Sequence, residues 1–77
     1  MDRLELRVKL EGLLFTTEKT FFEFGKMMPE SEQNSVRSAI ESAKKAIQSE
    51  ETIKINESLT ELNVSSKILT EAILSGS

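Results

Sequence analysis

The sequence predicts an all-α protein, an antiparallel three-helix bundle with a longer first helix. Apolar residues recur in steps of three and four through three separate stretches, as one face of a helix requires. Gly25 and Pro29 punctuate the chain after the first stretch, and the acidic pair Glu50 and Glu51 separates the second from the third. No short stretch alternates apolar with polar residues between turn signals as a strand does.

The first helix is expected over about residues 2–24, with Leu10, Leu14, Thr17, Phe21 and Phe24 on its inner face. Gly25 follows where a left-handed residue ends many helices, a conformation in which a side chain clashes. Met28, from the turn, joins Phe21 and Phe24 in closing the end of the core, where each buried phenylalanine contributes about 1.5–3 kcal/mol. Pro29 opens the second helix, over about residues 29–49. Its fixed φ suits a first turn, and Glu30 and Glu32 suit the positive end of the helix dipole. The inner stripe there is Val36, Ala39, Ile40, Ala43 and Ile47, whose alanines allow a neighbour close, while Lys44 and Lys45 face water. The third helix, over about residues 51–74, has the most regular stripe: Ile55, Leu59, Leu62, Ser66, Leu69 and Ile73. Ser75, Gly76 and Ser77 are expected to fray. Helices of roughly 30 Å joined by links of a few residues pack as antiparallel neighbours.

Leu6, Leu13, Phe15, Phe22, Ile53, Val64, Ile68 and Leu74 fall outside these stripes. A helix in a three-helix bundle has two inward sides, which accommodates Leu13, Ile53 and Ile68 without a functional role. The other reading is a contact surface, because contiguous exposed apolar patches mark partners or self-association. Leu6 and Phe15, on a part of the first helix expected to overhang the bundle, are the candidates for it.

A chain of 77 residues makes one domain. Its 38% hydrophobic and 30% charged residues, with the charge spread along the chain, indicate a globular protein. A net charge of -3 disfavours phosphate backbones and anionic lipid, so neither nucleic acid nor membrane is an expected partner. The absence of cysteine and histidine removes disulfides, a thiolate nucleophile, an imidazole base and the usual metal ligands, and it fits a reducing compartment. The longest apolar runs, such as Leu13 to Phe15, are too short for a membrane span or a signal peptide, so a cytoplasmic location is expected.

Chemistry has little to start from. Glu57 and Glu61, one turn apart, read as a solvated face rather than an acid/base or metal pair. Thr16, Thr17 and Thr20 read as hydroxyls bonding back to the preceding turn. Gly12, Gly25 and Gly76 are too scattered to cradle a phosphate. No catalytic, cofactor-binding or metal-ligating residue is expected, and neither is enzyme activity in this chain.

The order of features nonetheless resembles a known family. Leu13-Leu14-Phe15-Thr16-Thr17-Glu18-Lys19, then Gly25-Lys26-Met27-Met28-Pro29, then Ser38-Ala39-Ile40-Glu41-Ser42-Ala43, then Ile53-Lys54 and Leu59-Thr60-Glu61-Leu62, resembles the C-terminal helical lid of the DnaK-type, seventy-kilodalton heat-shock chaperones. The likeness covers nearly the whole chain. It implies a fragment of a longer protein, preceded by an ATPase domain that uses ATP and Mg and by a β-sandwich peptide-binding domain. It also implies a non-catalytic role: the lid rests on the sandwich of the same chain and slows release of unfolded client peptide, and co-chaperones act on the full-length protein.

In that family the position matching Glu11 is a carboxylate and the one matching Phe15 a histidine, and together they latch the lid to the sandwich. Glu11 keeps the charge, whereas Phe15 cannot replace a polar latch. Phe15, with Leu59-Thr60-Glu61-Leu62-Asn63, looks closer to the branch serving iron–sulfur cluster assembly. The lack of an acidic tail motif after Ser77 implies a bacterial or organellar type. The alternative reading is a free-standing helical adaptor, or a bundle that pairs with another copy through a ridge of Ile53, Val64 and Ile68. A homodimer of the isolated piece is compatible with either.

Overall fold

The computed structural model describes residues 3–76. Three helices run along the chain, α1 (Arg3–Phe24), α2 (Glu30–Ser49) and α3 (Thr52–Gly76), and a short 3-10 turn, Gly25–Met27, follows α1. The molecule measures 39 × 18 × 16 Å. A helix as long as α3 spans about 37 Å, so the helices lie along the long axis, and the short links make sequence neighbours antiparallel. The 25-residue α3, not the 22-residue α1, is the longest helix.

The core is organised around α3. Ile55, Leu62 and Leu69 recur every seven residues and are completely or almost completely enclosed. The residues three positions after the first two, Ser58 and Ser65, are buried as well. Leu59, Ile68, Ala72 and Ile73 flank this line and are half-buried, as is Ser66, which the expected stripe placed inside in place of Ser65. Small side chains occupy the line because α2 approaches closely with Ala39, Ala43 and Ala46, and Ser58 Oγ donates to the Ser42 carbonyl at 3.4 Å. Val36 and Ile40 complete the inner face of α2, and Ile47 packs against it half-exposed.

On α1 the inner face is Leu6, Leu10, Leu14 and Thr17, with Leu13 and Phe21 half-buried beside them. Leu6, expected as an exposed contact residue, is only 6% accessible. The reason is that α1 does not overhang: the α2–α3 link reaches alongside its start, where Arg7 Nη1 lies 3.3 Å from Glu50 Oε1. Ile53, expected to turn inward, is 73% exposed, because it lies about 200° around the helix from Ile55.

The junction between α1 and α2 differs from expectation in two respects. Gly25 does not take a left-handed conformation, since no glycine has positive φ among the described residues. It is buried, and a Cβ there would stand 2.8 Å from the Phe21 ring, so what this position requires is close approach of an aromatic face. Phe24, expected in the core, is 38% exposed. Its φ of −120° and ψ of −1° depart from helical values, which takes its side chain off the stripe; Met28 fills the end of the core instead. The Met28 amide donates to the Gly25 carbonyl at 3.0 Å, and Gln33 Nε2 donates to the Met28 carbonyl at 2.8 Å. Pro29 precedes the first turn of α2 instead of sitting within it.

Among the described residues the left-handed one is Glu50, at the C-terminus of α2, with φ 58° and ψ 16°. A non-glycine residue there carries strain of about 1 kcal/mol. A second local cost sits in the core: Thr17 is 1% exposed and its hydroxyl has no hydrogen-bond partner.

These features lead to measurable outcomes. Thr17→Val removes an unsatisfied buried hydroxyl at nearly constant volume and raises the unfolding free energy by about 1 kcal/mol in a denaturant titration. Glu50→Gly raises it by about 0.5–1 kcal/mol, less whatever the exposed Arg7 ion pair contributes. Phe21→Ala lowers it by about 2–3 kcal/mol at micromolar concentration, while Phe15→Ala changes it by less than about 0.5 kcal/mol. Equal losses from the two phenylalanines contradict the packing described.

Candidate functional site

A helix that packs on one side needs one apolar face, yet α1 has two. Leu4, Val8, Phe15 and Phe22 follow one another in steps of four and seven, which keeps them within about 40° of a common line. All are exposed, Phe15 at 70% and Phe22 at 90%. This outer stripe lies on the far side of the helix from Leu6, Leu10 and Thr17, and it runs almost from end to end of α1. Isolated exposed hydrophobic residues are ordinary, whereas an aligned row of them on one helix makes this face the candidate site.

Charged residues edge the stripe. Glu11 sits on it one turn before Phe15, and its carboxylate is 3.3 Å from Arg7 Nε. Arg7 is also the partner of Glu50, so one guanidinium ties the stripe to the α2–α3 link. Further along, Glu18 Oε2 lies 3.2 Å from Lys44 Nζ of α2. These pairs are solvated and individually contribute at most about 1 kcal/mol. Their effect is to hold the carboxylates to one flank, which leaves Phe15 and Phe22 uncovered. At the end of the stripe a shallow groove between α1 and α2 is lined by Phe21, Phe22, Gly25, Lys26, Gln33 and Arg37. The Arg37 guanidinium lies over the Phe21 ring, 5.7 Å from its centroid.

Glu11 and Phe15, which the resemblance matches to a latch, lie one turn apart on one exposed face. Of the other contact candidates, Leu6 belongs to the core, and the ridge on α3 is only partly exposed: Ile53 and Val64 face solvent while Ile68 packs against the interior. Leu4 and Val8 complete the stripe, though neither was singled out from the sequence. The signal for Val8 was the same interval of seven that links Phe15 to Phe22, and Leu4 stands one turn before Val8 on that line, opposite the stripe that forms the core. Among the described residues no group of three or more His, Cys, Asp or Glu side chains could hold a metal ion, and no helix is long and apolar enough to cross a membrane. Thr16 bonds back to the Gly12 carbonyl at 3.1 Å, and Thr60 and Thr70 do likewise one turn back, so these hydroxyls serve the helix. No protein-family model matches the chain, and no solved structure matches it.

Proposed function

We propose that this chain is the C-terminal helical lid of the substrate-binding domain of an ATP-dependent, DnaK-type chaperone, and that it slows release of bound unfolded peptide. The observation that carries the reading is the placement of Glu11 and Phe15, the positions matched to the family's latch, one turn apart on the exposed outer face of α1. The rest of the bundle stands behind them. α2 and α3 bury the opposite face of α1, which leaves the stripe free to meet another surface.

In this reading the outer stripe rests on a β-sandwich domain of the same longer chain, and ATP with Mg acts in a separate domain. The lid works by contacting the sandwich differently in two states, which shifts their populations and therefore the off-rate of the peptide. Phe15 gives the contact an apolar centre where an ion pair is usual, and this favours the branch of the family devoted to iron–sulfur cluster assembly. An apolar contact of this kind is also little affected by salt, unlike a pair of exposed charges.

The test is peptide release from the longer polypeptide, followed by fluorescence. Deleting residues 1–77 accelerates release and leaves basal ATP hydrolysis nearly intact, and Phe15→Ala accelerates release severalfold without changing its weak dependence on salt. An unchanged off-rate in the deletion, or a gene that encodes neither an ATPase nor a sandwich domain, contradicts the proposal.

A further inference from the structure

The outer stripe of α1 has the symmetry needed to pair with itself. Leu4, Val8, Glu11, Phe15, Glu18 and Phe22 alternate in steps of four and three, the spacing of a coiled-coil seam. In a parallel pair Glu11 would meet Glu11 and Glu18 would meet Glu18, so like charges would stack. An antiparallel pair removes this conflict. With the two-fold axis beside Gly12 and Leu13, Leu4 lies opposite the partner's Phe22, Val8 opposite the partner's Glu18, and Phe15 opposite the partner's Glu11. The two phenylalanines at position 15 then flank the axis. The stems of Glu11 and Glu18 can cover apolar surface while their carboxylates stay with Arg7 and Lys44.

The flank of the stripe has the same symmetry. Glu5, Gly12 and Lys19 follow one another at intervals of seven. The antiparallel register sets Glu5 beside the partner's Lys19 on both sides of the axis and sets the two Gly12 residues against each other at its centre. Glu5 and Lys19 are exposed, and neither makes an ion pair among the described residues. Gly12 has nothing within 4 Å of the place where a Cβ would stand, so the helix surface is notched where the two axes come closest.

We infer that the outer face of α1 is a homodimer interface, occupied by a second copy of this chain running antiparallel in this register. The inference goes beyond the lid reading and is read out by mass, not by peptide release. The two states are mutually exclusive, since a stripe covered by a second copy is closed to a sandwich domain.

The experiment is sedimentation velocity on the 77-residue chain between about 5 and 500 μM. The mass rises from monomer towards dimer over this range. Lys19→Glu turns two attractive contacts into repulsive ones and raises the dissociation constant about tenfold. The double variant Glu5→Lys with Lys19→Glu restores it to within about threefold of the original. Gly12→Leu fills the notch and abolishes the dimer while circular dichroism shows an unfolding midpoint no lower than before. A monomer throughout the range overturns the inference. So does a dimer indifferent to Lys19→Glu and Gly12→Leu, which belongs to another face such as that of Ile53 and Val64, or a double variant that fails to regain association.

Discussion

The burial of one seven-residue line on α3 is the constraint on which the rest of the structure depends. Ile55, Leu62 and Leu69 lie between the other two helices, and the small residues Ser58 and Ser65 on the same face let α2 close in with its own alanines. The packing of α2 and α3 fixes α1 in rotation: Leu10, Leu14 and Thr17 have to face inward, and the opposite side of α1 has to face outward. The exposure of Leu4, Val8, Phe15 and Phe22 therefore follows from the core and is not a local accident. Rotating α1 to hide them would expose Leu10 and Leu14, a large cost for a chain with so small a core.

The ends of the bundle are built by different means. At one end Gly25 admits the Phe21 ring and Met28 closes the core, with the chain turned by a backbone bond and by Gln33. At the other, Glu50 accepts a left-handed conformation and is held beside α1 by Arg7. Strain is therefore tolerated where a charge also serves as a tie, and glycine is kept where an aromatic ring needs the space.

The fold was legible because each helix carries a regular apolar stripe and because Gly25, Pro29 and the Glu50–Glu51 pair mark the breaks. The phase of α3 was only half legible. Leu59 packs against the core as its size and spacing suggested, but the deepest line runs through Ser58, where close approach of α2 selects a small side chain; Ser65 and Ser66 are alike in size, so spacing alone could not choose between them. Phe24 misled for a similar reason: aromatic character argued for burial, while departure from helical geometry at the end of α1 turned it outward. Leu6 was misassigned because the reach of the α2–α3 link along α1 depends on tertiary packing. The outer stripe was partly visible in Phe15 and Phe22, but Leu4 and Val8 lacked weight until the core face of α1 was known.

The central claim is that the outer apolar stripe of α1 serves contacts with another surface and contributes little to the fold itself. The most direct measurement is thermal and denaturant unfolding, by circular dichroism at low concentration, of a variant with Leu4, Val8, Phe15 and Phe22 all replaced by glutamine. The account predicts the same helix content and a cooperative transition, with the unfolding free energy changed by no more than about 2 kcal/mol. Loss of helix content or of cooperativity would show that the stripe belongs to the core and contradict the account.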